Sequence, residues 1–385
     1  MLLCISSLSL AACDDGYSRS GVVLGEAIAL KVNARGGKAR SAVERMFELA
    51  DEVFSEMNLS DKESALSRFN DSESLEGFEI GEHTYRALEL AKKAYEMTDG
   101  AFDVTAFPLS KLWGVDTQGL HGSRPDMLDP VGSAKKELPS IESVKNVLAH
   151  VGMDKLDFYK DGEKCYVKKS DPLVEIDLGG IAKGYFADLC VEIARENGVE
   201  SCLIDLSGNI YLVGGGIKSG GDWSVGIANP RPRLAIEEFR GYVAAVRCEG
   251  NRSFVTSGDY QRFYYYDGGG ANDEEELVAV CHIIDPRSGL PVGVRYDETR
   301  NRFVRDETAG IMSVVSGTSS AMCDALSTAA TVLGIEDGAR LLKNANAGGL
   351  IFAGGGEKGR LCVVGEWEFL DGYDAYKTDY EEVTA

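Results

Sequence analysis

Three stretches of the chain carry residue types that could do chemistry together. Val174 to Asp188, VEIDLGGIAKGYFAD, reads as a short apolar strand bearing Asp177 that turns through Gly179 and Gly180 into a helix with Lys183 near its start. Backbone N–H groups at such a turn, with the positive end of the helix dipole behind them, stabilise an anion, and Lys183 would add a full charge. The stretch also suits a plain strand-to-helix connection, and the GxxxxGK[ST] phosphate loop is absent. His282, one of four histidines, stands one strand-length before the turn Asp285-Pro286-Arg287-Ser288-Gly289. A side chain aimed by both strand and turn is the best general-base candidate here, although a strand histidine is ordinarily structural. Asp324 and Thr328 lie four residues apart, on one face of an expected helix. A carboxylate and a hydroxyl so placed could ligate a hard cation such as Mg²⁺; the alternative is an acid that merely complements the helix dipole.

These residues need elements to hold them. With 385 residues, 44% of them hydrophobic and 26% charged, the chain reads as a soluble globular protein with a large core. A formal net charge of −22 argues against nucleic acid as a partner. An anionic ligand could bind only where cations, amides or a metal reverse the local field. Val43, Phe47, Ala50, Val53 and Phe54 recur at three and four residues and predict a helix from Ala39 to Met57. Tyr85, Leu88, Ala91 and Tyr95 predict another from Glu82 to Thr98, and Ser140 is a candidate N-cap for a third reaching His150. Leu156 to Lys168 reads as a hairpin around Asp161-Gly162. The second half is rich in adjacent strands, with a helix from Ser319 to Leu333 near its end. This irregular mixture predicts an α+β fold on a mixed, largely antiparallel sheet, and no GxGxxG follows a strand to suggest a nicotinamide enzyme.

Taken in order, SALSRFN, GAFDVT, IDLGGIAKGY, DLSGNI, TSGDYQRF, HIIDPRSG and AMCDALST closely resemble the successive motifs of the ApbE-type flavin transferases, the FAD:protein FMN transferase family. The resemblance implies a single ApbE-like, T-fold-like domain that holds FAD in a cleft and uses Mg²⁺. It makes Ala101, Phe102, Asp103, Asp177 and Lys183 contacts to the dinucleotide, and Ile284 a flavin contact through its main chain. It makes the backbone carbonyl of Gly180, with Asp324, Thr328 and the carbonyl of Ala321, the ligands of Mg²⁺, and His282 the catalytic histidine. Gly180 stands where family members often have alanine. Asn58 falls where the family commonly offers an aromatic ring against the dinucleotide, and here no aromatic occurs between Phe54 and Phe69. Rapid exchange of FAD, with hydrolysis to FMN and AMP beside transfer, is therefore expected.

The N-terminus, MLLCISSLSLAACDD, resembles a bacterial lipoprotein signal that ends in Leu10-Ala11-Ala12-Cys13. The expected organisation is a signal peptide over 1–12, a lipidated Cys13 and tether over 13–25, the flavin transferase domain over 26–370 and an acidic tail over 371–385. The protein would then be lipid-anchored at the periplasmic face of the inner membrane, a setting that Asp14 also suggests. Apart from Cys4 and Cys13, the seven remaining cysteines lack CxxC spacing and read as buried thiols. The leading expectation is an enzyme that transfers FMN from FAD to a threonine or serine of a membrane redox protein. The competing one is a flavin-binding lipoprotein that stores cofactor without chemistry.

Overall fold

The structure, a computed structural model, describes residues 16–23, 28–116, 130–217, 221–230, 241–267, 277–354, 358–372 and 376–385. The expected signal peptide and Cys13 lie outside the described residues. Among the described residues nine strands form a central sheet, in the order Gly16–Val23, Ile28–Arg35, Ser201–Leu206, Asn209–Val213, Arg252–Gly258, Gly310–Gly317, Gly348–Ala353, Gly359–Val364 and Tyr380–Glu382. Every neighbouring pair is antiparallel except the last, which is parallel. The fold is thus α+β on a mixed, largely antiparallel sheet.

Side chains alternate across these strands, so each face of the sheet carries its own core. Val255, Val315 and Ile351 face the long helices, while Phe254, Val314, Leu350 and Phe352 face a second sheet built on Trp223–Ala228 and Tyr242–Cys248. The helix side holds Ala39–Met57, Glu82–Met97, Ala182–Glu196 (here the lysine helix) and Ser320–Asn344 (the aspartate helix). Gly334 interrupts the aspartate helix with a left-handed backbone, close to the stop expected at Leu333, and a further helical segment follows to Asn344. A third apolar cluster, around Trp113, Tyr264, Val280 and Ile284, carries the turn after His282.

Three expectations are corrected. Gly16–Val23, taken as part of the tether, is a strand paired along its length with Ile28–Arg35. The acidic tail is part of the fold, because Tyr380–Glu382 pairs with Gly359–Leu361 and the Tyr380 ring packs edge-on against Phe352. Val174–Leu178 belongs to no strand ladder. Its backbone is bound by side chains and a loop instead: Asn70 brackets Ile176, donating to its carbonyl and accepting from its N–H at 2.8 Å each. The buried Lys169 ammonium donates to the Val174 carbonyl, and the Asp177 N–H donates to the Val104 carbonyl. Among the described residues the cysteines are free thiols, most of them buried, and no helix is long and apolar enough to cross a membrane.

Candidate active site

The lysine helix and the aspartate helix cross at their N-termini, and a missing side chain allows it. A Cβ on Gly184 would lie 2.3 Å from the Ser320 carbonyl oxygen and 2.7 Å from the Ala321 Cα, so only glycine fits the crossing. Its N–H donates to Asp324 Oδ2 at 3.0 Å. Asp188, about one turn further along, caps the second helix, its carboxylate accepting from Ser320 N–H at 2.7 Å and from Ala321 N–H and Ser319 Oγ at 3.0 Å. That contact fixes where Ala321, Asp324 and Thr328 stand.

Asp324 is 3% exposed. Burial raises its pKa above the ordinary aspartate value, opposed by the charge of Lys183, by Asn209 and by the Gly184 N–H. Asn209 is itself buried, and its Nδ2 has no acceptor other than that carboxylate. One turn on, Thr328 Oγ1 lies 3.1 Å from Ser257 Oγ, which also meets Ser327 Oγ at 2.7 Å. Gly180 is close by: a Cβ there would sit 3.9 Å from Thr328 Oγ1 and 2.9 Å from the Phe102 ring. The glycine in place of alanine therefore leaves room for Phe102.

The Gly100–Thr105 turn joins this group through Phe102 and through the bond from Asp177 N–H to Val104. Ala101 and Phe102 are buried. Asp103 is turned into the protein: Oδ1 accepts from Thr105 N–H and Oγ1, and Oδ2 from Met153 N–H. Burial raises its pKa despite these donors. Asp177 Oδ1 accepts from Gly179 N–H at 2.8 Å and shapes the glycine turn.

His282 lies within electrostatic reach of Lys183 at the start of the lysine helix. Its N–H donates to the Arg262 carbonyl at 3.1 Å, and its Nδ1 lies 3.2 Å from the same oxygen. Since a carbonyl can only accept, Nδ1 carries the proton and Nε2 presents its lone pair. Burial, then the charges of Arg262 and Lys183, lower the imidazole pKa to about 3. The ring nevertheless keeps part of its surface open. Arg262 is likewise exposed while surrounding protein lowers its pKa, against the pull of Asp177 and Asp116. The turn beyond is held by Trp113, whose Nε1 donates to the Gly289 carbonyl, and by Tyr264, whose hydroxyl donates to the Trp113 carbonyl. Ile284 packs within that cluster and bridges to Pro291.

The structure thus links His282, Lys183, Asp177, Gly180, Ala321, Asp324, Thr328 and the Ala101–Asp103 turn into one constellation. Asn58 is joined to none of them by a hydrogen bond: its side chain accepts from Ser60 N–H and its carbonyl from Ser67 Oγ, in the turn that ends the first helix. The positioning roles of Asn70, Asp188, Asn209, Ser257 and Arg262 were not read from the sequence. Each sits inside or beside one of the motifs, but what it touches lies 70 or more residues away for Asn70, Asp188 and Ser257.

Among the described residues no group of three or more His, Cys, Asp or Glu side chains could hold a metal. A cation here would rest on one carboxylate, a hydroxyl and main-chain oxygens, a donor set of hard oxygens that suits Mg²⁺ with substrate phosphates completing its shell.

The family model described as the ApbE family matches residues 24–351. A relative from Treponema pallidum, named FAD:protein FMN transferase, is 28% identical over 336 residues, covering 85% of this chain and 81% of its own. One of the same name from Klebsiella pneumoniae is 27% identical over 282 residues, 73% of this chain and 75% of its own. Among solved structures, the ApbE protein of Thermotoga maritima is 25% identical with a TM-score of 0.67, covering 88% of this chain and 96% of that one. The flavinyl transferase ApbE of Pseudomonas stutzeri in its apo form shares the fold at a TM-score of 0.68 and 22% identity, covering 91% of this chain and 94% of that one.

Proposed function

The chain belongs to the ApbE family, and from that premise we propose that it is an FAD:protein FMN transferase, Mg²⁺-dependent, acting on a threonine or serine hydroxyl of an acceptor redox protein. The observation that carries this reading is a neutral imidazole with Nδ1 against the Arg262 carbonyl and Nε2 unprotonated, within electrostatic reach of Lys183, which in turn reaches the buried Asp324 carboxylate.

Each residue then has a task. Lys183, with the positive end of its helix, draws the pyrophosphate against the long-range field of an acidic protein. Asp324, Thr328 and the Gly180 and Ala321 carbonyls would hold Mg²⁺. When bound, the ion neutralises charge on the phosphate oxygens. His282 Nε2 accepts the proton of the acceptor hydroxyl. As that oxygen bonds to the FMN phosphorus, the bond from the phosphorus to the bridging oxygen breaks and its electron pair leaves with AMP. With water as the nucleophile the same site would release FMN and AMP, the hydrolytic activity we expect when no acceptor is present. A flavin-storing protein would need no free base beside the phosphates, so the Nε2 lone pair favours the enzyme.

The membrane setting rests on Leu10-Ala11-Ala12-Cys13 alone: we infer a lipid anchor at Cys13 on the periplasmic face of the inner membrane, where a membrane redox protein would be the acceptor. The decisive experiment incubates the protein with FAD, with and without Mg²⁺, and with a threonine-bearing acceptor peptide. Mg²⁺-dependent AMP release and in-gel flavin fluorescence of the peptide are expected; FAD bound but left uncleaved under all conditions would favour storage.

A further inference from the structure

We propose that the Arg262 guanidinium binds the phosphate of the FMN half of the substrate, on the side of the phosphorus that His282 serves. The inference rests on the transferase reading above and assigns a ligand to a residue which that reading leaves idle.

Arg262 is tied to the base by its own backbone. Its carbonyl accepts from both the N–H and the Nδ1–H of His282, so residue 262 and the imidazole are one unit. Its side chain is exposed and makes no hydrogen bond or ion pair with any described residue. This is unusual in a chain with 62 acidic and 40 basic residues. Nearby cations are engaged: Arg287 binds Asp285 through Nε and Nη2, Lys111 binds Glu175, and Lys135 lies over the Tyr264 ring. Asp177 and Asp116 are within electrostatic reach of Arg262, and neither pairs with it. An exposed guanidinium left unpaired beside the base is a fork waiting for two anionic oxygens.

The reacting phosphorus supplies them. If Nε2 takes the proton of the attacking hydroxyl, the FMN phosphate lies within a few ångströms of His282, and its non-bridging oxygens bear charge throughout the transfer. Lys183, on the helix that meets Asp324 and within electrostatic reach of that acid, serves the half of the diphosphate nearer the metal ligands.

Equilibrium titration separates this role from a structural one. Wild type, Arg262→Gln and Arg262→Lys are titrated with FMN, riboflavin and AMP in the presence of Mg²⁺ and with FAD in its absence, where it is not cleaved, by flavin fluorescence and calorimetry. Loss of a charge-assisted bidentate contact should weaken FAD and FMN roughly 10- to 100-fold in Arg262→Gln. Riboflavin and AMP, which lack that phosphate, should bind as they do to wild type, and Arg262→Lys should recover part of the loss. Unchanged FMN affinity in Arg262→Gln overturns the proposal, as does an equal loss for riboflavin or a loss confined to the acceptor peptide's KM. Wild-type protein that binds no flavin would instead sink the transferase reading, and this inference with it.

Discussion

His282 and Asp324 are shifted by the same burial in opposite senses, and the two shifts make separable predictions. His282 stays neutral from neutrality down to about pH 3, so protonation of the base does not limit turnover over the mildly acid range. Asp324 has a raised pKa; its carboxylate gains a proton at a higher pH than an exposed aspartate would, and that proton competes with a cation. The acid-side loss of activity should therefore move to lower pH when Mg²⁺ is raised about tenfold; a limb that ignores Mg²⁺ would point to another group. The sign for stability follows from linkage. A buried acid whose native pKa is raised costs stability above the unfolded pKa, so Asp324→Asn, which can still accept from Gly184, should not lower the Tm of metal-free protein at neutral pH and should raise it slightly. It should abolish turnover, and Mg²⁺, expected to raise the Tm of wild type, should not raise that of the variant. His282→Gln should keep FAD binding and lose roughly 10²-fold or more in transfer rate. It should also lose less stability than wild type on acidification, because between pH 6.5 and about 3 the unfolded wild-type chain takes up a proton that the native imidazole refuses. Normal turnover of this variant at saturating FAD would remove His282 from the role of base.

At the scale of the element, the glycine turn depends on a segment that is extended but unpaired. The alternation of Val174, Ile176 and Leu178 predicts a strand, since apolar residues at every second position usually line one face of a sheet. What holds the segment is instead the Asn70 amide, 106 residues earlier in the chain, and no local pattern encodes a bracket of that kind. Asn70→Ala would strand the buried N–H and C=O of Ile176, at a cost of about 2 to 4 kcal/mol for the two groups. Denaturant unfolding should show that loss, together with weaker Mg²⁺-dependent FAD binding as the turn carrying Gly180 and Lys183 loosens. A change under about 0.5 kcal/mol would mean that water replaces the amide and that the bracket is incidental. The helices were far more legible. Ala39–Met57 is bounded as its repeat predicts, and Ser140 caps its helix by accepting from Ser143 N–H. In these elements the information is local, carried by spacing and by one capping hydroxyl. Asp188 shows the limit: as an acid inside a motif it draws the eye to chemistry, yet its carboxylate is spent on capping a helix 132 residues away.

For the whole molecule, the extent of the fold was the least legible feature, because both ends of the central sheet are made by segments of polar composition. Gly16–Val23 reads GYSRSGVV, and its outward residues alternate with half-buried ones, the signature of an edge strand with one face to solvent. The tail after Asp371 is acidic and lacks an apolar run, so composition suggests a solvated extension. Two tyrosines overrule it. Tyr376 and Tyr380 are buried in the core between the two sheets, with Phe369 stacked at a tilt on the first and Phe352 edge-on to the second. Short polar strands succeed there because the edge asks for one paired side and a few anchoring rings, not for a hydrophobic stretch. The consequence is a prediction about truncation. Removing residues 372–385 would uncover Phe352 and Leu361 and bare the edge of Gly359–Val364, a site for strand addition by a second chain. At ~1.5 to 3 kcal/mol for each buried ring, the loss should lower the Tm by roughly 5 °C or more and promote association. None of the candidate site residues lies in the tail, so FAD binding and AMP release at temperatures well below the new Tm should match the full chain. A truncated protein of unchanged Tm that stays monomeric would show the tail to be an ornament on the sheet, whereas lost FAD binding in a protein that still unfolds cooperatively would mean that the sheet edge and the cleft are coupled through the strand Gly310–Gly317 and the aspartate helix packed on it.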